Sequence, residues 1–268
     1  MILKTALTIA GSDCSGGAGI QADLKTFSAN GVFGMSVVTS VVAENTSKVI
    51  SVENISVKTI ADQIDAVFED IEVNAVKIGM LNDAERMNIV ADKLNQYQPQ
   101  FVVTDPVMIA KGGHALMQSD ALSVLKERII PSAFLLTPNL PEAEAITGLV
   151  IKTADDMKQA AEQIYSLGAA NVLIKGGHLD GDALDILYDG REFHLYSCER
   201  INTKNTHGTG CTYSSAIAAN LAKGVPVALA VANAKEYVTT AIRHSLAIGR
   251  GHGPTNHFYE LYKKGNLI

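Results

Sequence analysis

Two rhythms of apolar and polar positions run along the chain. Short stretches of apolar and β-branched residues recur at 5–10 (TALTIA), 35–42 (MSVVTSVV), 73–78, 101–104 (FVVT), 134–137 and 172–175. Such runs read as strands buried on both faces. A further short strand is expected at 51–57. Between them lie segments of helical spacing at 18–29, 57–71, 84–94, 120–130 and 154–167. The second places Ile60, Ile64, Val67, Phe68 and Ile71 on one face.

The alternation breaks once. Residues 183–187 and 192–196 flank Tyr188-Asp189-Gly190-Arg191, which reads as a β-hairpin with a glycine turn. Two longer helices are then expected at 209–223 and 226–248, with Pro226 suited to a helix start and Gly249 to its end. Strands alternating with helices predict βαβ crossovers. The expected architecture is a three-layer α/β/α fold with a mainly parallel central sheet and a small antiparallel edge hairpin. No linker, repeat or low-complexity tract interrupts the 268 residues, so one domain, 1–268, is expected.

Composition narrows the function classes. A hydrophobic fraction of 47% and a charged fraction of 19% exclude a largely disordered chain. A net charge of −6 argues against a duplex nucleic-acid binder. No run of about 18 apolar residues is present, so no membrane partner is expected. Cys14, Cys198 and Cys211 form neither a CxxC pair nor an even disulfide set, which points to a reducing, cytoplasmic setting.

The candidate chemistry collects where strands end. Gly11-Ser-Asp-Cys-Ser-Gly-Gly-Ala-Gly19 follows the first strand; Gly17 stands where a P-loop requires Lys, so that motif fails. Gly17–Ala22 matches GxGxxA with Glu44 downstream, but Gly17 comes seven positions after Ala10, later than a dinucleotide turn would. A substrate loop around Ser12 and Asp13 fits better, against a bland glycine turn. Ala43-Glu44-Asn45-Thr46 ends the second strand and can read a polar ring edge, or be a solvated loop. Asp105 ends the FVVT strand, ahead of a flap at Lys111-Gly-Gly-His114. An aspartate there can serve Mg²⁺ or phosphates, or simply turn the chain.

Asn139 and Glu142, three apart at an expected helix start, suit either a magnesium site or a capping box. Lys175, before Gly176-Gly177, can meet a phosphate. Most informative is His207-Gly-Thr-Gly-Cys211, opening an apolar helix. The first turn of a helix has free N–H groups and partial positive charge, so Gly208, Thr209, Gly210 and Cys211 can cradle an anion. A helix N-terminus lowers a thiol pKa, so Cys211 is expected as a thiolate base near neutrality, rather than as small buried filler.

Gly-Ser-Asp, Asp-Pro-Val, Asn-x-x-Glu, Lys-Gly-Gly and Gly-Thr-Gly-Cys come in the order of the ribokinase-like superfamily. GSDCSGGAGIQADLKTF, VVAENT, KIGML, DPVM, LTPNLPEAE, IKGGH, NTKNTHGTGC and GRGHGPTNHFY resemble the hydroxymethylpyrimidine/phosphomethylpyrimidine kinases over nearly the whole chain. The resemblance implies an ATP-dependent kinase of thiamine biosynthesis. Such an enzyme phosphorylates a hydroxymethylpyrimidine and then its monophosphate, with Mg²⁺. Cys211 would be the base, standing where the superfamily has Asp, and Gly208 to Cys211 the anion hole. Asn139 and Glu142 would organise Mg²⁺ and its water, Lys175 would touch ATP phosphates, and Asp105 would support the metal–phosphate end. Ala18, Glu44, Met80 and Val107 would contact the pyrimidine, Glu44 replacing a frequent Gln. A homodimer is the assembly implied.

Three rivals follow. A pyridoxal or pyridoxine kinase of the same branch would carry a second Cys in the flap, where Ile109-Ala110-Lys111 stands. An NAD-dependent oxidoreductase would leave the Gly208–Cys211 cradle without a role. A non-catalytic ligand sensor would not need the full catalytic set.

Overall fold

The computed structural model describes residues 3–109, 116–118, 120–177 and 182–268. Its nine strands form one sheet in the order β3-β2-β1-β4-β5-β6-β7-β8-β9. Six of them are mutually parallel: β1 (Thr5–Asp13), β2 (Phe33–Glu44), β4 (Ala75–Ile78), β5 (Val102–Thr104), β6 (Leu135–Leu136) and β7 (Val172–Lys175). Antiparallel strands close both ends: β3 (Val49–Asn54) on β2, and the hairpin β8 (Ala183–Tyr188) and β9 (Phe193–Cys198) on β7.

Consecutive side chains of these strands enter two different cores. Leu7, Val102, Leu136 and Ile174 pack beneath α2 (Val57–Phe68), α3 (Ala84–Tyr97), α5 (Leu140–Thr147) and α6 (Ala154–Tyr165). Their neighbours Ala6, Val103, Leu135 and Leu173 pack beneath α1 (Gly19–Ala29), α7 (Thr209–Ala222) and α8 (Val227–Arg243). Both faces are covered, and that is why the strands are mostly apolar and β-branched runs instead of alternating.

The structure moves several boundaries. β1 continues past Ala10 to Asp13, with its register on β2 shifting between Ala10 and Ser12, so the glycine segment begins inside the sheet. The helix expected over 120–130 is α4 (Ala121–Val124), followed by a wider turn at Leu125–Ile129 and a tighter one at Ile130–Ser132 containing Pro131. The last long helix stops at Arg243 instead of residue 248. Beyond it, the Leu246 N–H donates to the Pro254 carbonyl, and the Asn256 N–H reaches back to Ala241. A short α9 (Tyr259–Lys264) follows that was not foreseen. Among the described residues no helix is long and apolar enough to cross a membrane.

Candidate active site

Parallel strands deliver all their C-terminal ends to one edge, where α/β sheets bind ligands. Asp13 closes β1 there, buried, and its carboxylate gathers the following loop. Oδ2 accepts the N–H groups of Gly17 (3.0 Å) and Ala18 (2.7 Å), and Oδ1 accepts that of Ser15 (2.7 Å). His207 Nε2 stands 2.9 Å from the same Oδ2. Burial works against this charge, but the His207, Ser15 and Ala18 hydrogen bonds outweigh it and hold the carboxyl well below the usual range. Glu44, at the end of β2, offers an oxygen within 4.8 Å of Asp13 and His207 ligand atoms. Burial, then the Asp13 charge, pushes its pKa up to about 7, with His207 opposing.

His207 leads into α7, and the approach is main chain on main chain. Gly208 has φ +75°, and a Cβ there would lie 1.8 Å from the Gly17 carbonyl oxygen. A Cβ on Gly17 would lie 2.3 Å from the His207 ring. Only glycine fits either position. The Thr209 N–H turns back to Thr206 (3.3 Å), and α7 has no side-chain cap. The N–H groups of Gly210 and Cys211 have no acceptor among the described residues, the condition for an anion cradle. A Cβ on Gly210 would meet Asp105 Oδ2 at 3.1 Å and Lys175 Nζ at 3.6 Å, so this turn faces that pair directly.

The expectation of a ready thiolate is corrected. Cys211 is only partly exposed, and burial pushes its thiol up to about 11 despite the opposing charge of Lys77 and the Gly19 N–H. Loss of hydration outweighs the helix terminus here. At neutral pH the group is a thiol, so it accepts a proton only through the small thiolate fraction.

On the far side of the cradle, Asp105 Oδ1 takes Lys175 Nζ at 2.5 Å and the Thr137 hydroxyl at 3.1 Å. Burial disfavours the Lys175 charge, but Asp105 and Glu142 more than compensate and keep it protonated. Asn139 and Glu142 form the capping box in full: Asn139 Oδ1 accepts the Glu142 N–H (2.9 Å), and Glu142 Oε2 accepts the Asn139 N–H (2.8 Å). Burial raises the Glu142 pKa to about 7, with Lys175 lowering and Asp105 raising it. Two buried carboxylates around one ammonium leave this corner short of positive charge. That donor set fits Mg²⁺, which needs only one or two carboxylates besides water and substrate phosphates.

The remaining foreseen residues share this edge. Ala18 precedes α1, Met80 follows β4, and Val107 follows β5. The Thr39 hydroxyl donates to the Met80 carbonyl at 3.2 Å, and the Met80 side chain lies against Gly11. The flap residues Lys111 to His114, and His178, lie outside the described residues. A groove lined by Ser15, Lys25, Thr46, Pro254, His257 and Tyr262 opens beside Gly16 and Gly17; it takes in parts of the glycine loop and of the 43–46 segment, but none of the residues expected at the pyrimidine or the phosphates.

Sequence reasoning assigned no role to His207 and passed over Lys77. Lys77 is fully buried on β4 and ion-paired to Asp23 of α1 at 2.9 Å. Its signal was a lysine inside the otherwise apolar run Ala75-Val76-Lys77-Ile78.

Comparison with known proteins adds a family to this geometry. The phosphomethylpyrimidine kinase family model matches residues 13–256. A hydroxymethylpyrimidine/phosphomethylpyrimidine kinase of Bacillus subtilis is 49% identical over 100% of this chain and 98% of its own length. The thiamine biosynthesis bifunctional protein ThiED of Geobacter sulfurreducens is 54% identical over 94% of this chain. The chain spans only 51% of that longer protein. Among solved structures, an ADP complex of Bacillus subtilis pyridoxal kinase superposes with a TM-score of 0.91 at 42% identity, covering 97% of this chain and 99% of that one.

Proposed function

The chain belongs to the phosphomethylpyrimidine kinase family, and from that premise we propose that it is an ATP-dependent kinase of thiamine biosynthesis. Its substrate on this reading is 4-amino-5-hydroxymethyl-2-methylpyrimidine, converted to the monophosphate and then to the diphosphate. The observation that carries the reading is the uncapped start of α7: free N–H groups of Gly210 and Cys211 face the Asp105–Lys175 pair across the ends of β1, β5 and β7. Phosphoryl transfer asks chiefly for positioning and charge stabilisation, and this arrangement supplies both.

In the first step the substrate hydroxyl oxygen bonds to the γ-phosphorus of ATP, the bond to ADP breaks, and the hydroxyl proton passes to Sγ of Cys211 in its thiolate form, the minor form at neutral pH. The α7 N–H groups hold the transferred phosphoryl oxygens. Lys175, kept charged by Asp105, holds the nucleotide phosphates, with Asn139 beside it. Glu142 and Asp105 would hold Mg²⁺, which when bound offsets phosphate charge. In the second step the nucleophile is a phosphate oxygen and no hydroxyl proton needs removal. Ala18, Glu44, Met80 and Val107 line the pyrimidine side, Glu44 accepting from the ring amino group. Cytoplasmic residence and a homodimer of one-domain subunits belong to the same reading, supported by the free cysteines and by the resemblance.

The test is coupled ADP release with Mg-ATP and, side by side, the hydroxymethylpyrimidine, its monophosphate and pyridoxine. Turnover of both pyrimidines is expected. Turnover of pyridoxine alone would move the assignment to the vitamin B6 branch.

A further inference from the structure

The catalytic reading leaves a fully buried ion pair unused. Lys77 and Asp23 have fully buried side chains, so neither contributes to solubility or to a surface. Asp23 is saturated: Oδ2 takes Lys77 Nζ (2.9 Å) and the Thr8 hydroxyl (2.6 Å), and Oδ1 takes the Ser215 hydroxyl (2.7 Å). Lys77 is not. An ammonium carries three N–H donors, and Asp23 is its one hydrogen-bond partner among the described residues. A buried ion pair with unmet donors contributes little to stability by itself and is a costly thing to retain.

Its surroundings point to a use. Ser215 lies four residues after Cys211 on α7, so the two share one helix face, and Ser215 holds the Lys77 partner. A Cβ on Gly79 would lie 2.7 Å from Lys77 Nζ, which places the ammonium at the outlet of β4, on the edge that carries the cradle. We propose that Lys77, held in place by Asp23, is a positioning residue for Cys211: a buried ammonium whose charge favours the thiolate over the thiol. The inference deepens the base role assigned to Cys211 and rests on that reading.

Every charged group near the thiol enters the account. Burial is the largest influence and disfavours the thiolate. Lys77 on β4 opposes it most strongly, and Asp23 on α1 and Asp105 after β5 add to it. The Gly19 N–H at the start of α1 favours the charged form. Lys175 on β7 feels the Cys211 charge in turn. Deleting either member of the ion pair therefore acts with opposite sign. Without Lys77, the thiolate loses its cation and keeps Asp23. Without the Asp23 charge, it loses an anion and keeps the cation so long as the Cys211 thiolate and Asp105, which also favour the Lys77 charge, hold it protonated.

The test reads the thiol directly, with no substrate present. Iodoacetamide alkylation of the Cys211 peptide, followed by mass spectrometry from pH 7 to 10, is compared in wild type, Lys77→Met and Asp23→Asn. At pH 8, Lys77→Met is expected to slow alkylation about tenfold, and Asp23→Asn to accelerate it about tenfold, the change in thiolate fraction for one pKa unit. A role confined to folding would move both rates in the same direction by loosening the site. Parallel movement, or none, would overturn the proposal. Asp23→Asn is nearly isosteric and can still bond Thr8 and Ser215. Should Lys77→Met not fold, Asp23→Asn decides alone: acceleration with an unchanged melting curve supports the inference, and an unchanged or slower rate ends it. Failure of the kinase reading would appear separately, as absence of ADP release from wild type.

Discussion

Asp13 and His207 are 194 residues apart in the chain and 2.9 Å apart in space, carboxylate oxygen to ring nitrogen. Through that contact the carboxylate that shapes the 15–18 loop also holds the residue leading into α7, the proposed phosphate cradle. The two halves of the site are one hydrogen-bonded unit. His207→Ala removes a partner from a buried carboxylate and should cost about 1–3 kcal/mol. The sign with pH follows from the lowered Asp13 pKa. Its contribution is complete above the ordinary carboxylate range and is lost as the pH falls below it. Asp13→Asn should flatten that acid limb in melting curves from pH 2 to 7. Overlaying limbs would remove Asp13 from the account.

Cys211 should show itself in the pH profile. With its thiol at about 11, the hydroxyl-phosphorylation rate should rise with pH across the neutral and mildly alkaline range, while the second phosphorylation stays flat. Cys211→Ala should lose about 10²–10⁴-fold in the first step, the usual worth of a general base, and less in the second. Equal losses measured with the two substrates would argue against the base role.

Glu142 caps a helix and is also assigned to the metal, and one substitution separates the roles. Gln can still accept the Asn139 N–H but carries no charge. A raised pKa means that ionising Glu142 costs stability as pH climbs to about 7. Glu142→Gln should therefore melt at or above wild type at pH 8, with Mg²⁺ binding weakened at least about tenfold in titration calorimetry. Glu142→Ala should lose both, including about 1 kcal/mol of cap. A Gln variant with intact Mg²⁺ affinity would free Glu142 from the metal.

Two glycines of the cradle should respond differently to alanine. Gly208→Ala combines positive φ with a Cβ 1.8 Å from Gly17 oxygen, so the chain must move, at a cost of about 1–3 kcal/mol or more. Gly210→Ala meets Asp105 at 3.1 Å and should fold nearly as well as wild type. Its loss should appear in kcat, because the methyl group crowds the face assigned to the phosphoryl group. Thermal melts and ADP release on both variants distinguish the two effects.

The layered sheet was legible because the crossover strands are mostly apolar and β-branched runs and most helices between them are amphipathic. What the sequence hid was long-range. Nothing local told that Leu246 would bond Pro254 and end α8 early, nor that Asp120 to Ile130 would widen into an irregular turn. In the site, glycine and Asn-x-x-Glu spacing marked the strand ends well. The Asp13–His207 and Asp23–Lys77 pairs join distant segments, and pairing of that kind leaves no periodicity. The Cys211 thiol was misjudged for the same reason. A helix start is visible in sequence, whereas the depth of burial that outweighs it is not.

The contact of Gly17 with Gly208 has a consequence for how this site can vary. Where two bare backbones touch, no side chain remains to be exchanged for a longer or shorter one. The spacing between the loop after Asp13 and the start of α7 is therefore written in the number of residues each loop contains. Exchange of neighbouring side chains can retune the chemistry on either side, but one inserted or deleted residue between Asp13 and Gly19, or between Asn205 and Gly208, would displace the two segments relative to each other.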